Sequence, residues 1–194
     1  MRTNNEAERI ARETLTCMLG RPLPEGFPIL IGDDPEFSSM AAQFDENKIL
    51  TGLYIPTPYA THLSERGLRA GTTHEYANFF FQDSRDFESN LSEELKPTLP
   101  LISLKRKMDV DETAINFLKK RELDSGGLID WLEFMLADKR AHDVSTLSVI
   151  AIQVRIQHAQ LILSGEIQKA ECMRKDLNAL SLCTHQKTPS PHIL

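Results

Sequence analysis

Gly126-Gly127-Leu128-Ile129-Asp130-Trp131-Leu132-Glu133-Phe134-Met135-Leu136 carries the strongest periodic signal in the chain. Leu128, Trp131, Leu132, Met135 and Leu136 stand at i, i+3, i+4, i+7 and i+8, so a helix over this stretch gathers five large apolar side chains on one face that must pack against something. The same spacing recurs downstream. Leu147, Ile150, Ala151, Val154, Leu161 and Ile162 mark a longer helix ending near Gly165, and Ile167, Ala170, Met173, Leu177 and Leu180 mark a last one. Upstream, Ala114, Ile115 and Leu118 give a shorter stripe within a helix over 111–123. The C-terminal half therefore reads as entirely helical, and the fold class turns on what precedes it.

Toward the N-terminus the pattern changes. Thr3 and Glu6 form a capping box ahead of Ala7, Ile10, Ala11, Thr14 and Met18, and Gly20 ends that helix. Pro22, Pro24 and Pro28 break the chain, and three strands are expected at 27–31, 40–44 and 48–55. Asp45-Glu46-Asn47 turns the last two into a hairpin, giving a small antiparallel sheet. Thr57 before Pro58 reads as an N-cap with proline at the first helical position, opening a short helix to Leu63 that leads to Gly67. A further segment runs from Leu68 to Gln82, and the acidic stretch 83–100, closed by Pro97 and Pro100, reads as a surface loop. The fold class is α+β and helix-dominated. Residues 1–183 form one domain, with a sheet-containing half (1–82), the loop (83–100) and a helical half (101–183), followed by a flexible tail (184–194) without periodicity.

Composition narrows the function classes. With 41% hydrophobic and 26% charged residues the chain has ordinary globular usage. A net charge of -6 argues against a broad phosphate-binding surface, so nucleic acid is not expected as a partner. No apolar run reaches the roughly 20 residues that span a bilayer, and the polar start Met1-Arg2-Thr3-Asn4-Asn5-Glu6 lacks a signal peptide's apolar segment, so the expectation is a cytoplasmic protein without a membrane partner. Cys17, Cys172 and Cys183 make no C-x-x-C pair and read as reduced thiols, Cys17 as a small apolar side chain. No phosphate-binding glycine loop and no G-x-S-x-G elbow occurs.

The segment with chemical content is Thr73-His74-Glu75-Tyr76-Ala77-Asn78-Phe79-Phe80. H-E-x-x-H on a helix sets two imidazoles one turn apart to hold Zn²⁺, and the glutamate activates the metal-bound water. The segment resembles the H-E-Y-A-H helix of gluzincin-type metallopeptidases, with Asn78 in place of the second histidine. Gly126 to Glu133 resembles the downstream E-G-x-A-x-W-x-E helix that supplies the third ligand, with Gly126 at the ligand position. The likeness covers roughly residues 27–140. It implies Glu75 as the catalytic base, His74 and Asn78 as metal positions, and Asp130 or Asp124 as the carboxylate that could complete a zinc site. Because two ligand positions hold residues of the wrong type, the resemblance implies a non-catalytic relative, without a cofactor, that binds a peptide or protein.

Two alternatives stand beside it. One is an active zinc metallohydrolase with an unusual ligand set. The other is a helical scaffold or regulatory protein unrelated to peptidases, with the apolar stripe from Leu147 to Ile162 serving a homodimer interface. The motif also has a plainer account, in which Thr72-Thr73-His74-Glu75 is a capping box at a helix start. On that account Phe79, Phe80 and Phe81 are core residues, His62 sits on an exposed helix, and His142 and His158 have no ligand relation to His74.

Overall fold

The computed structural model describes residues 1–34, 39–47, 49–81, 96, 99–141 and 145–185. The expected acidic loop and the tail fall largely outside these residues, as does His142. Among the described residues the architecture is helix-dominated α+β: α1 (Asn4–Leu19), β1 (Ile29–Gly32), β2 (Ala41–Phe44), β3 (Leu50–Pro56), α2 (Thr57–His62), α3 (Glu65–Ala77), a 3-10 turn (Asn78–Phe81), α4 (Leu99–Lys120), α5 (Gly127–Ala141), α6 (Thr146–Leu163) and α7 (Ile167–His185).

Helix α1 begins and ends as its residues dictate. The Thr3 hydroxyl accepts from the Glu6 amide at 3.3 Å, and Gly20 closes the helix in the left-handed region at φ 67. The three strands form one sheet in the order β1-β3-β2. The hairpin β2–β3 is antiparallel, its turn held by the Asp45 carboxylate, which accepts from the amides of Asn47 and Ile49 at 2.9 and 2.8 Å. The sheet is mixed rather than antiparallel, because β1 lies parallel to β3, with Ile29 opposite Leu53 and Ile31 opposite Ile55. Leu53, Tyr54 and Ile55 are all buried, as expected of a central strand covered on both faces, and such a strand carries no period-2 alternation to reveal its neighbour's direction.

Helix α3 starts earlier than the sequence suggests. Ser64 caps it by accepting from the Gly67 amide at 3.0 Å, and the helix passes straight through Gly67 and Gly71. Thr72 therefore lies in mid-helix, and the capping box expected at Thr72–Glu75 does not form. The glycines have a packing reason. A Cβ at Gly71 would lie 2.8 Å from both the Met40 sulfur and the Trp131 indole, and a Cβ on Gly127 of α5 would lie 2.2 Å from the Arg66 carbonyl oxygen. Helices α3 and α5 thus touch backbone to backbone, with Arg66 beside Gly127 and Gly71 beside Trp131.

The core gathers around this contact. Ile10 and Leu15 from α1, Leu53 and Ile55 from β3, Leu68 from α3, Ile115 and Leu118 from α4, Leu128, Trp131 and Leu132 from α5, and Ile152 and Ile162 from α6 belong to one buried cluster. The 128–136 stripe is its centre: Leu128 and Leu132 are fully buried and Trp131 is 1% exposed. Of the three phenylalanines expected in the core, Phe81 packs against a small second buried cluster of Ala77, Val110 and Ala114, whereas Phe79 and Phe80 join neither cluster. Phe80 is 52% exposed, and Phe79 and Phe80 form an aromatic patch with Phe44, Tyr76 and Phe117 on the 3-10 turn that follows α3.

Candidate functional site: a buried histidine, aspartate and arginine cluster

His74 sits on the face of α3 turned toward α4 and α5 and is 5% exposed. Its Nδ1 lies 2.9 Å from Asp111 Oδ1 on α4, off the straight hydrogen-bond line, and its ring is 4.4 Å from the Trp131 ring. Asp111, fully buried, is gripped from the other side by Arg155 of α6, whose Nε and Nη2 donate to Oδ2 and Oδ1 at 2.7 and 2.8 Å. The Arg155 guanidinium also stands 5.5 Å from the centre of the Trp131 ring. One carboxylate, one guanidinium, one imidazole and one indole, from four helices, close a polar knot inside the core.

The electrostatics follow from burial and pairing. Burial alone would raise the Asp111 carboxyl, but the Arg155 charge and hydrogen bonds, with His74 adding to them, hold it at about 2. Burial pushes the His74 imidazole down; Asp111 opposes that shift, while Arg155 and Lys107 reinforce it, so the ring is neutral at physiological pH. The neutral imidazole can present its Nδ1 hydrogen to the carboxylate, which gives His74 a partner within the fold.

The other motif residues are engaged too. Asn78 closes α3, and its amide donates to Glu75 Oε2 at 3.2 Å. Glu75 is 9% exposed and, with Asp138 of α5, faces the buried Tyr59 phenol, whose pKa is raised by burial first and by these carboxylates second. Asp130 is a hydrogen-bond hub at the opposite end of α3. It accepts from Arg66 Nε and Nη2, each at 2.7 Å, and from the Ser64 hydroxyl at 2.6 Å. Asp124 meets Arg66 Nη1 at 3.3 Å and turns its other oxygen to the Gly126 amide at 2.9 Å. His74 lies eight residues beyond Arg66 on α3, about 12 Å along the helix axis at 1.5 Å per residue.

These positions decide whether the group implied by the metallopeptidase resemblance fits. Zinc requires about three protein donors converging at roughly 2.0–2.3 Å. His74 faces Asp111, Asn78 faces Glu75, and Asp124 and Asp130 are drawn to Arg66 at the far end of the helix. Among the described residues no group of three or more His, Cys, Asp and Glu side chains is placed to hold an ion. The donor set does not fit zinc. His62 is exposed on α2 and Cys17 is half-buried.

Comparison of the chain with protein-family models, with curated proteins and with solved structures finds no match.

Sequence reasoning passed over Asp111 and Arg155, and read His158 only as having no ligand relation to His74. A signal for the first two was present: Asp111 precedes Ala114, Ile115 and Leu118 at helical spacing, and Arg155 falls between Ile152, Ala159 and Ile162. Each is a charge at a core position, and such charges are buried only when paired. His158 is a neighbour of this cluster, fully buried near Arg174 and Asp111, and neither ring nitrogen has a hydrogen-bond partner among the described residues. Burial and the Arg174 charge push its pKa down, against the pull of Asp111.

The sign of the consequence is fixed. With folded pKa values below that of the unfolded chain, His74 and His158 take up protons only on unfolding, so stability is retained above pH ~6.5 and lost progressively below it. Urea midpoints measured from pH ~7.5 to ~5.5 are expected to fall, by at most about 1.4 kcal/mol per pH unit for each proton taken up. His158→Phe, which keeps a planar ring of similar size and removes the titrating group, is expected to flatten that dependence without abolishing it. An unchanged slope would show that His158 does not titrate on unfolding.

Proposed function

We propose that this chain is a non-catalytic, cytoplasmic, metallopeptidase-like domain that acts by binding a protein partner, and that its H-E-Y-A-N helix has become part of the core. The observation that carries the reading is the environment of His74. Its Nδ1 faces a carboxylate already locked by Arg155, and indole packs against its ring. Without a metal-activated water Glu75 has nothing to deprotonate, and its carboxylate instead meets the Asn78 amide. The reading of an active metallohydrolase completed by Asp124 or Asp130 draws no support from the geometry, since both carboxylates pair with Arg66.

A second observation favours the scaffold reading and agrees with the first in calling for a protein partner. Helix α6 has a mean hydropathy of 1.2 over its 18 residues, long and apolar enough by composition to cross a membrane, yet only 28% of them are buried. Arg155 and His158 lie in its middle and are buried against the rest of the fold, which suits a helix lying on a protein surface better than one in lipid. The remaining apolar surface is available for an interface.

Metal analysis of protein purified without chelator tests the non-catalytic reading. Substoichiometric zinc, unchanged by His74→Ala, is expected. One zinc per chain that disappears in His74→Ala, with peptide cleavage abolished by Glu75→Gln, would overturn it.

A further inference from the structure

An imidazole that is buried without a hydrogen-bond partner is costly, and His158 is in that state at both ring nitrogens. Its position relative to α7 gives the cost a use. After Leu163 the chain turns through Ser164-Gly165-Glu166, and α7 folds back to pack against α6 and α4. His158 stands seven residues before Gly165 and Arg174 nine after it, about 10 and 13 Å from the turn at 1.5 Å per residue, so the two residues come level across the hairpin. Helix α7 holds on lightly. From Ile167 to Leu177 only Ala170 is buried, Met173, Arg174 and Leu177 are half-buried, and the others are exposed. Its polar hold on α4 is Arg174, which pairs with Asp109 and, at 2.8 Å, with Glu112. We propose that α7 is a strap released by acid: a proton on His158 sets a second positive charge beside Arg174 under the helix, and the Arg174 latch to α4 gives way while the rest of the fold holds. The inference goes beyond the partner-binding reading and does not depend on it.

The charges around His158 decide the sign. Arg174 acts on it from α7 and Asp111 from α4, while α5, the third helix packed on α6, adds none to these. Asp111 draws a proton toward the imidazole, but both its oxygens already accept from Arg155, so burial and Arg174 prevail and the closed form keeps the ring neutral. Once released, the imidazole returns toward its ordinary value of about 6.5. The closed form therefore binds the proton less tightly than the open one, and the strap is fully held above pH ~6.5 and loosened progressively below it. Asp109 pulls the other way: burial raises its carboxyl despite Arg174 and Lys105, so it takes up a proton more readily in the closed form. An open-form imidazole titrates about two pH units above an ordinary carboxyl, so His158 sets where release begins. Release bares the imidazole together with Ala170, Met173 and Leu177, an apolar strip that is offered in mild acid and largely covered at neutrality.

Backbone hydrogen exchange of the full chain, corrected for the intrinsic effect of pH, reads the strap directly. Amides of residues 170–177 are expected to be less protected than those of 128–135 in α5 at every pH, because the strap opens without the core. Their protection is expected to fall about tenfold between pH ~6.5 and ~5.5, the uptake of one proton. In His158→Phe the fall over 170–177 is expected to vanish, whereas α5, which still answers to His74, keeps part of its own. Should His158→Phe fail to fold, Arg174→Gln tests the latch from the other side. It is expected to lower protection over 170–177 about fivefold already at pH ~7.5 and to leave α5 unchanged. Equal protection of the two helices at every pH overturns the inference, since α7 would then open only with the whole fold. So does a pH dependence over 170–177 that survives His158→Phe, or an α7 indifferent to Arg174→Gln. Zinc content and partner binding enter none of these readings.

Discussion

Asp111→Asn is expected to destabilise the fold by about 3–5 kcal/mol, because it leaves the Arg155 guanidinium buried without a counter-charge. The substitution preserves shape and removes only the charge, so a cavity cannot account for the loss. For a chain of this size that amounts to a fall in melting temperature of about 10 °C or more. The diagnostic comparison is the double variant Asp111→Asn with Arg155→Met, which removes both charges. It is expected to recover much of the loss, since a buried pair is costly to break and cheap to replace as a whole. Urea unfolding of the two single variants and the double variant measures the coupling directly. Independent, additive losses would mean that the two residues do not act as a pair. Acid follows the same logic: the Asp111 carboxyl is held at about 2, below its unfolded value of 3.8, so its stabilisation is complete above pH ~4 and disappears as pH falls toward 2.

Gly127→Ala is expected to be the most damaging single-methyl substitution in the chain. The added carbon would lie 2.2 Å from the Arg66 carbonyl oxygen and 2.5 Å from its carbonyl carbon, which are backbone atoms that cannot rotate away. The two helices would have to separate, and Trp131 would lose its seat on Gly71. Overpacking of this kind costs about 1–3 kcal/mol where side chains can adjust, and the upper end or beyond is expected where only backbone can. Gly32→Ala is the matched control, because a Cβ there meets nothing within 4 Å. Equal midpoints for the two variants would show that the α3–α5 contact is looser than described.

The apolar stripe at 128–136 announced the core because burial and helical period act on the same residues. The strands appeared within a residue or two of their observed ends, since β-branched and aromatic runs between turn residues are local signals. The direction of β1 is not local, and a central strand buried on both faces says nothing about it. The start of α4 at Leu99 was hidden by Pro100, read as a breaker, although a proline in a first turn removes only an amide that has no helical partner. The candidate site was half legible. His74 and Glu75 stood out because their spacing matches a known chemistry, but spacing along one helix does not say what an imidazole faces. That depends on Asp111 and Arg155, 37 and 81 residues further along the chain.

The position of the single tryptophan gives the protein its own optical gauge. The Trp131 indole is 1% exposed and lies against imidazole on one side and guanidinium on another. Emission from that site comes from a dry environment, at short wavelength, with both neighbours close enough to modulate its intensity. Any event that draws α5 away from α3 or α6, whether acid, denaturant or an arriving partner, changes the colour and brightness of that one fluorophore, and can be followed in real time without attaching a label.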